Sequence, residues 1–193
     1  MSDLRTTSSL DARLARLEAR LDIQELAARY ARAVDGRDLD GLVGLFTSDV
    51  NCGPLGRGRA ALRSFFDQHL SRFYRSIHQL AGHAIDFETD EKALGTVYCR
   101  AEHEVGDRWI VETICYFDSY AREQDGWRFA RRKVKVWYAT DWEQKPGNGG
   151  FRTWPDDAAA DLPQAFPTWS EFWNAAAPGC DSELSRAPTL GAG

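Results

Sequence analysis

No stretch of this chain is apolar for long enough to cross a bilayer, and the opening segment "MSDLRTTSSLDARLARLEARL" lacks the uninterrupted apolar core of a secretion signal. These absences predict a cytoplasmic protein with no membrane partner. Cysteine is sparse and scattered: Cys52, Cys99, Cys115 and Cys180 show no CxxC or other metal-ligand spacing, so buried free thiols are expected. Positive charge is short as well. The net charge is −5, and the run "RRKVKV" alternates charged with apolar residues as a strand does, so no phosphate-binding surface for nucleic acid is offered. No GxSxG nucleophile, GxGxxG fingerprint or Walker loop occurs. The glycine-rich "GPLGRGRAAL" lacks the lysine and spacing of a phosphate cradle and reads as a turn.

What is present suits one globular domain: 193 residues, 43% hydrophobic and 27% charged. A helix is predicted from near Ser8, where a hydroxyl can cap the first turn. Leu10, Leu14, Leu17 and Leu21 recur at spacings of four, three and four, and Leu26, Tyr30 and Val34 are expected to carry the same stripe onward. So long a helix either lies on its own sheet or projects its first turns onto a partner subunit. Gly36 should end it, Asp38 should cap a second helix, and a third is predicted near Arg59 to Phe73.

From Ile77 the texture changes to β-branched and aromatic residues, with turns at Asp90-Glu91, Gly106-Asp107 and Asp125-Gly126. Helices followed by adjacent strands imply an α+β fold with a mostly antiparallel sheet. The division is a domain over 1–142 and an aromatic-rich C-terminal extension over 143–193, expected to pack on the domain or on a neighbouring subunit. Within it "TWSEFWNAA" reads as a short helix, and four of the seven tryptophans lie from Asp141 onward.

Ala28, Ala31 and Asp35 fall close to one line on a helical wheel, a column of small residues ending in a carboxylate. Alanine is also simply the best helix former. On the strand around Val97, the residues Val97, Cys99, Ala101 and His103 share an apolar face, opposite Tyr98, Arg100, Glu102 and Glu104. His103 therefore needs a partner, either a bound oxygen or a neighbour in the core. Trp109, Val111, Thr113, Cys115 and Phe117 share a face of the following strand. With Phe46, Phe66, Tyr74 and Tyr138 they offer aromatic surface to a ring-bearing ligand. His69 is expected in solvent. His83 lies five residues beyond His78, on the opposite face of a regular strand, which argues against a shared metal site.

The order of elements, with "RYARAVDGRDLDGLVGLFTSDV", resembles the SnoaL-like branch of the nuclear transport factor 2-like superfamily over roughly Leu17 to Trp142. That branch includes scytalone dehydratase, hexachlorocyclohexane dehydrochlorinase and bile-acid dehydratases, with ketosteroid isomerase more distant. The resemblance implies a cone-shaped fold, three helices against a strongly curved sheet with a pocket between them. It also implies that Asp35 ("AVD") pairs with His78 ("SIHQLAGH"), that Tyr30 stands five residues before the Asp, and that His103 and Arg132 supply further pocket groups. The isomerase base is missing, since "NCGPL" has Gly53 where that family places an Asp before proline.

An imidazole titrating near pH ~6.5 can take a proton at neutral pH, and a carboxylate on one ring nitrogen fixes its tautomer. The resemblance therefore implies a lyase without metal or organic cofactor, acting on a hydrophobic, aromatic or polycyclic small molecule. Asp35, His78 and Tyr30 would be catalytic, and His103, Arg132, Phe46, Phe66, Trp109 and Phe117 would bind substrate. Elimination of water is the expected reaction. A retro-aldol-type cleavage releasing a small aldehyde, or a non-catalytic ligand-binding or assembly module, are the alternatives. A homo-oligomer, dimer or trimer, is expected.

Overall fold

The computed structural model describes residues 9–142 and 166–175. Helix α1 spans Leu10–Asp35, and the Ser9 hydroxyl caps it by accepting from the Ala12 N–H at 3.2 Å. Helix α2, Leu39–Gly44, is capped by Asp38, whose carboxylate accepts from the Gly41 N–H at 2.8 Å. A 3₁₀ turn at Gly53–Leu55 leads to α3, Arg59–Leu70, three residues shorter than the sequence predicts.

Four strands follow: β1 Ser76–Phe87, β2 Lys92–Val105, β3 Arg108–Glu123 and β4 Gly126–Asp141. They form an antiparallel sheet in the order β1-β2-β3-β4. Gly106 and Gly126 take positive φ (61° and 125°) at two of the turns, where a side chain would be strained. The sheet curves around the helices, in the NTF2-like fold that the sequence implies. Its helix-facing side carries Val97, Cys99, Ala101, Ile114, Tyr116, Tyr120 and Phe129, packed on Ile23, Leu26, Tyr30 and Val34 of α1. After α2 the chain rejoins the sheet: Phe129 N–H donates to the Leu45 carbonyl at 2.9 Å, and Thr47 N–H to the Phe129 carbonyl at 3.0 Å.

Two of the three register shifts in the sheet decide which way His83 and Arg132 face. Leu80 pairs with Cys99 but His83 with Val97, so β1 carries one extra residue, a β-bulge. Tyr120 pairs with Phe129 but Ser119 with Arg131, a second bulge, at Ala130 of β4. Paired residues of an antiparallel sheet share a face. The first bulge therefore turns His83 to the same side as His78, overturning the expectation from regular alternation. The second turns Arg132 inward opposite Asp118.

The leucine stripe of α1 does not continue as one face. Leu10, Leu14, Leu17 and Leu21 are exposed, while Ala19, Ile23, Leu26, Tyr30 and Val34 are buried on another side of the helix. Ala28 is likewise exposed although Ala31 is buried, so the alanine column does not line an interior channel.

Helix α4, Pro167–Ala175, forms where "TWSEFWNAA" predicts a helix; the rest of the extension lies outside the described residues, as does Cys180. Trp169 and Phe172 are buried, Trp169 and Trp173 pack on Tyr74, and the Thr168 hydroxyl donates to the Gly36 carbonyl at 2.7 Å. Gly36 ends α1 with an ordinary helical φ of −83°. It is glycine for space: a Cβ there would lie 3.0 Å from the Phe166 ring. The left-handed residue is Arg37, at φ 57°. Among the described residues no helix is long and apolar enough to cross a membrane.

Candidate active site around Asp35 and His78

Asp35 closes α1, and His78 is the third residue of β1. The structure brings them together twice over. His78 Nδ1 lies 2.7 Å from Asp35 Oδ1, and the His78 backbone N–H donates to Oδ2 at 3.0 Å. The carboxylate thus fixes both the ring and the strand that carries it. With Nδ1–H donating to Asp35, Nε2 is the ring nitrogen left with a lone pair. The His78 side chain is 7% exposed and that of Asp35 18%. Sealed nitrogens without partners in this region are Arg37 Nε, His103 Nδ1 and Arg132 Nη1; His78 Nε2 is not one of them.

His103 stands near the dyad, its ring 5.7 Å from that of His78 and 4.6 Å from Phe73, with Nε2 3.9 Å from a Glu112 carboxylate oxygen. Burial, helped by the facing His78, Arg37 and His69, pushes its pKa down to about 3. The ring is neutral at pH 7. It can bind an oxygen, but it carries no imidazolium proton to hand to a leaving group.

Deeper in the cone lies a second polar group. Arg132 donates from Nε and Nη2 to the two oxygens of Asp118, at 2.9 and 2.6 Å, with both side chains nearly sealed from solvent. The guanidinium also lies 4.1–4.2 Å from the ring centres of Tyr30, Tyr116 and Phe129. Tyr120 donates to Asp118 at 2.8 Å, and His83 Nε2 is 3.1 Å from the Tyr120 hydroxyl. Burial pushes the Tyr30 phenol up to about 12, so it remains protonated at neutral pH. Phe46 and Phe66 pack edge-on to Tyr30, at 6.3 and 6.2 Å.

Not every expected pocket residue is there. β3 pairs with β2 without a shift, Tyr116 opposite Val97 and Phe117 opposite Thr96. The even-numbered residues of β3 therefore face the helices and the odd-numbered ones face away. Trp109 and Phe117 lie on the side of the sheet opposite the dyad: Phe117 is half exposed, and Trp109 is buried there with its Nε1–H on Glu102 at 2.7 Å. Tyr138, opposite Thr113, shares that outer side and is also half exposed. His69 is exposed and stacked on Phe65.

The sequence reading passed over Tyr116, Asp118 and Arg37. A carboxylate between two tyrosines at even spacing, "YFDSY", was the available signal for Asp118. Arg37 is buried at 2% exposure and donates to the carbonyls of Val34 and Phe73 at 2.6 and 2.7 Å. It braces the end of α1 that carries Asp35, and burial lowers its pKa to about 10.

On the inner side Val134 pairs with Tyr116 and Val136 with Ile114, yet these valines are 47% and 56% exposed. The helices therefore cover only part of the concave face, and an apolar strip of β4 is left open beside the core.

Comparison with known proteins places this geometry in context. Among solved structures, hexachlorocyclohexane dehydrochlorinase (LinA) superposes with a TM-score of 0.63 at 23% identity, covering 68% of this chain and 95% of that one. A scytalone dehydratase-like protein of Novosphingobium aromaticivorans gives 0.57 at 22%, covering 71% and 94%. At these identities the likeness is one of fold. The uncharacterized protein Rv2910c of Mycobacterium tuberculosis is 31% identical over 127 residues, 62% of this chain and 86% of that protein. The SnoaL-like domain matches residues 15–133, from the exposed part of α1 to the middle of β4. By that match over more than half its length, the chain belongs to the SnoaL-like domain family.

Proposed function

We propose that this protein is a cofactor-independent lyase in which the Asp35–His78 pair is the general base. The 2.7 Å contact between the carboxylate and His78 Nδ1 carries the reading, with the backbone N–H of the same residue held by the other oxygen. Such an arrangement leaves Nε2 to accept a proton and gives the resulting imidazolium an adjacent negative charge. His78 takes a proton from substrate carbon, the C–H electron pair becomes the new double bond, and a neighbouring halide departs with its bonding pair, or a hydroxyl departs as water with the proton that the His78 imidazolium returns. Tyr30, a protonated phenol stacked on the Arg132 guanidinium, holds the departing or anionic oxygen together with the Arg132 Nη1–H. Neutral His103 accepts from or donates to a substrate oxygen. Known lyases of this fold, hexachlorocyclohexane dehydrochlorinase among them, support the assignment of reaction class. The open strip of Val134 and Val136, and the rings around Tyr30, suit an apolar, ring-bearing substrate.

A screen of hydroxylated and halogenated aromatic and steroid-like compounds for new ultraviolet absorbance tests this, because elimination into conjugation changes the spectrum. Turnover found in that screen should fall by roughly 10²–10⁴-fold in both His78→Ala and Asp35→Asn. Turnover undiminished in His78→Ala would overturn the reading. Binding without turnover, weakened by the same substitutions, would identify a ligand-binding module instead.

A further inference from the structure

Four leucines of α1 face away from everything that helix packs on. Leu10, Leu14, Leu17 and Leu21 are 75%, 52%, 59% and 65% exposed. The other side of the helix is firmly seated. Ala19, Ile23 and Leu26 are buried, the Arg16 guanidinium lies 4.1 Å over the Phe87 ring, and Arg20 donates to the Ile85 carbonyl at 3.2 Å. The helix cannot roll its leucines inward without giving up those contacts. Each leucine left in water forgoes the gain of burying its side chain, and a contiguous stripe of them is a surface awaiting cover.

The spacing of four, three and four is that of heptad core positions, Leu10 and Leu17 at d, Leu14 and Leu21 at a. Ala12, Ala19 and Leu26 then fall at f, diametrically opposite the seam. The body of the protein is on that f side, so two copies can meet along the leucines with their bodies outward. Exposed Gln24 and Ala28 prolong the seam.

The flanking charges choose the orientation. Arg13 and Arg20 occupy g, and Asp11, Glu18 and Glu25 occupy e. In a parallel pair each g residue faces the e residue of the following heptad, so Arg13 meets Glu18 of the second copy, twice by symmetry. Antiparallel helices would set Arg13 against Arg20 and Asp11 against Glu18. Among the described residues neither Arg13 nor Glu18 has an ion-pair partner within its own chain, so both are available.

We propose that this stripe is a parallel two-helix seam joining two copies of the chain. Both Asp35 ends of α1 then lie at the same end of the dimer. The proposal stands independently of the reaction assigned above.

Sedimentation equilibrium of the full chain over a concentration series should give twice the 21.7 kDa of one copy. The combined change Leu14→Glu with Leu17→Glu should halve that mass while leaving far-ultraviolet circular dichroism unchanged, since both positions are exposed. Arg13→Glu should weaken the dimer severalfold, and adding Glu18→Arg should restore it. In an oxidised Leu14→Cys variant, peptide mapping should find position 14 of one copy linked to position 14 of the other. A parent chain that stays monomeric would overturn the proposal. So would an assembly indifferent to the glutamates, or a Leu10→Cys and Leu21→Cys variant that links 10 to 21 between copies.

Discussion

Asp35 accepts from two donors of a single residue, the ring and the backbone N–H of His78. A structural role thus comes with the chemical one. Asp35→Ala leaves the His78 N–H without its acceptor, at a cost of roughly 1–3 kcal/mol. Asp35→Asn retains one acceptor oxygen and should cost less. Urea unfolding of the two variants checks the ranking, and equal midpoints for both and the parent would contradict it.

Arg132 and Asp118 are a sealed ion pair, and breaking such a pair differs from replacing it. Asp118→Ala strands the guanidinium among Tyr30, Tyr116 and Phe129, and should cost roughly 3–5 kcal/mol. Arg132→Met combined with Asp118→Leu should cost less than Asp118→Ala alone. A double-mutant cycle by urea denaturation measures the difference.

His103 should make stability depend on pH. Its pKa is pushed down to about 3 by burial, with His78, Arg37 and His69 adding to the effect, while the unfolded chain titrates near ~6.5. Between those values the unfolded state binds the extra proton, so stability rises with pH there. The contribution is whole above the unfolded value, falls as pH drops below it, and is gone by the folded one. His83, also lowered by burial, acts in the same direction. His103→Gln should flatten the slope of the urea midpoint against pH between neutrality and pH ~4.

Gly36 should resist enlargement even though its φ suits any residue. The new methyl in Gly36→Ala would lie 3.0 Å from Phe166 and 3.1 Å from the Arg32 carbonyl. The ring must shift, and α4 begins at the next residue. The expected cost is about 1–3 kcal/mol, accompanied by a change in the fluorescence of Trp169 and Trp173.

The helices, the strands and their turns were legible in the sequence because caps, turn residues and period-two texture are local signals. Tyr30, Asp35, His78 and His103 could be placed because each sits in a regular stretch or at a helix end. Phe117 and Trp109 were misplaced because alternation sorts a strand into two faces without saying which face meets the helices; only the pairing of Tyr116 with Val97 decides that. His83 and Arg132 depend on single-residue bulges, and a bulge leaves no mark in the pattern beyond the one residue it adds. The leucines of α1 misled in another way. A stripe at helical spacing says that something will cover it, but not whether the cover belongs to the same molecule.

Arg37 sets a limit on how far this protein can be trimmed. The family match stops at residue 133, inside β4, which invites a shortened chain ending near Trp142. Yet the guanidinium that braces the last turn of α1 lies 5.1 Å from the Trp169 ring centre and 5.9 Å from that of Phe172. Cutting away α4 would open this charge to water from one side and loosen its grip on the carbonyls of Val34 and Phe73. The boundary of the working unit therefore lies beyond the boundary of the sequence family, and α4 belongs with the helix that presents Asp35.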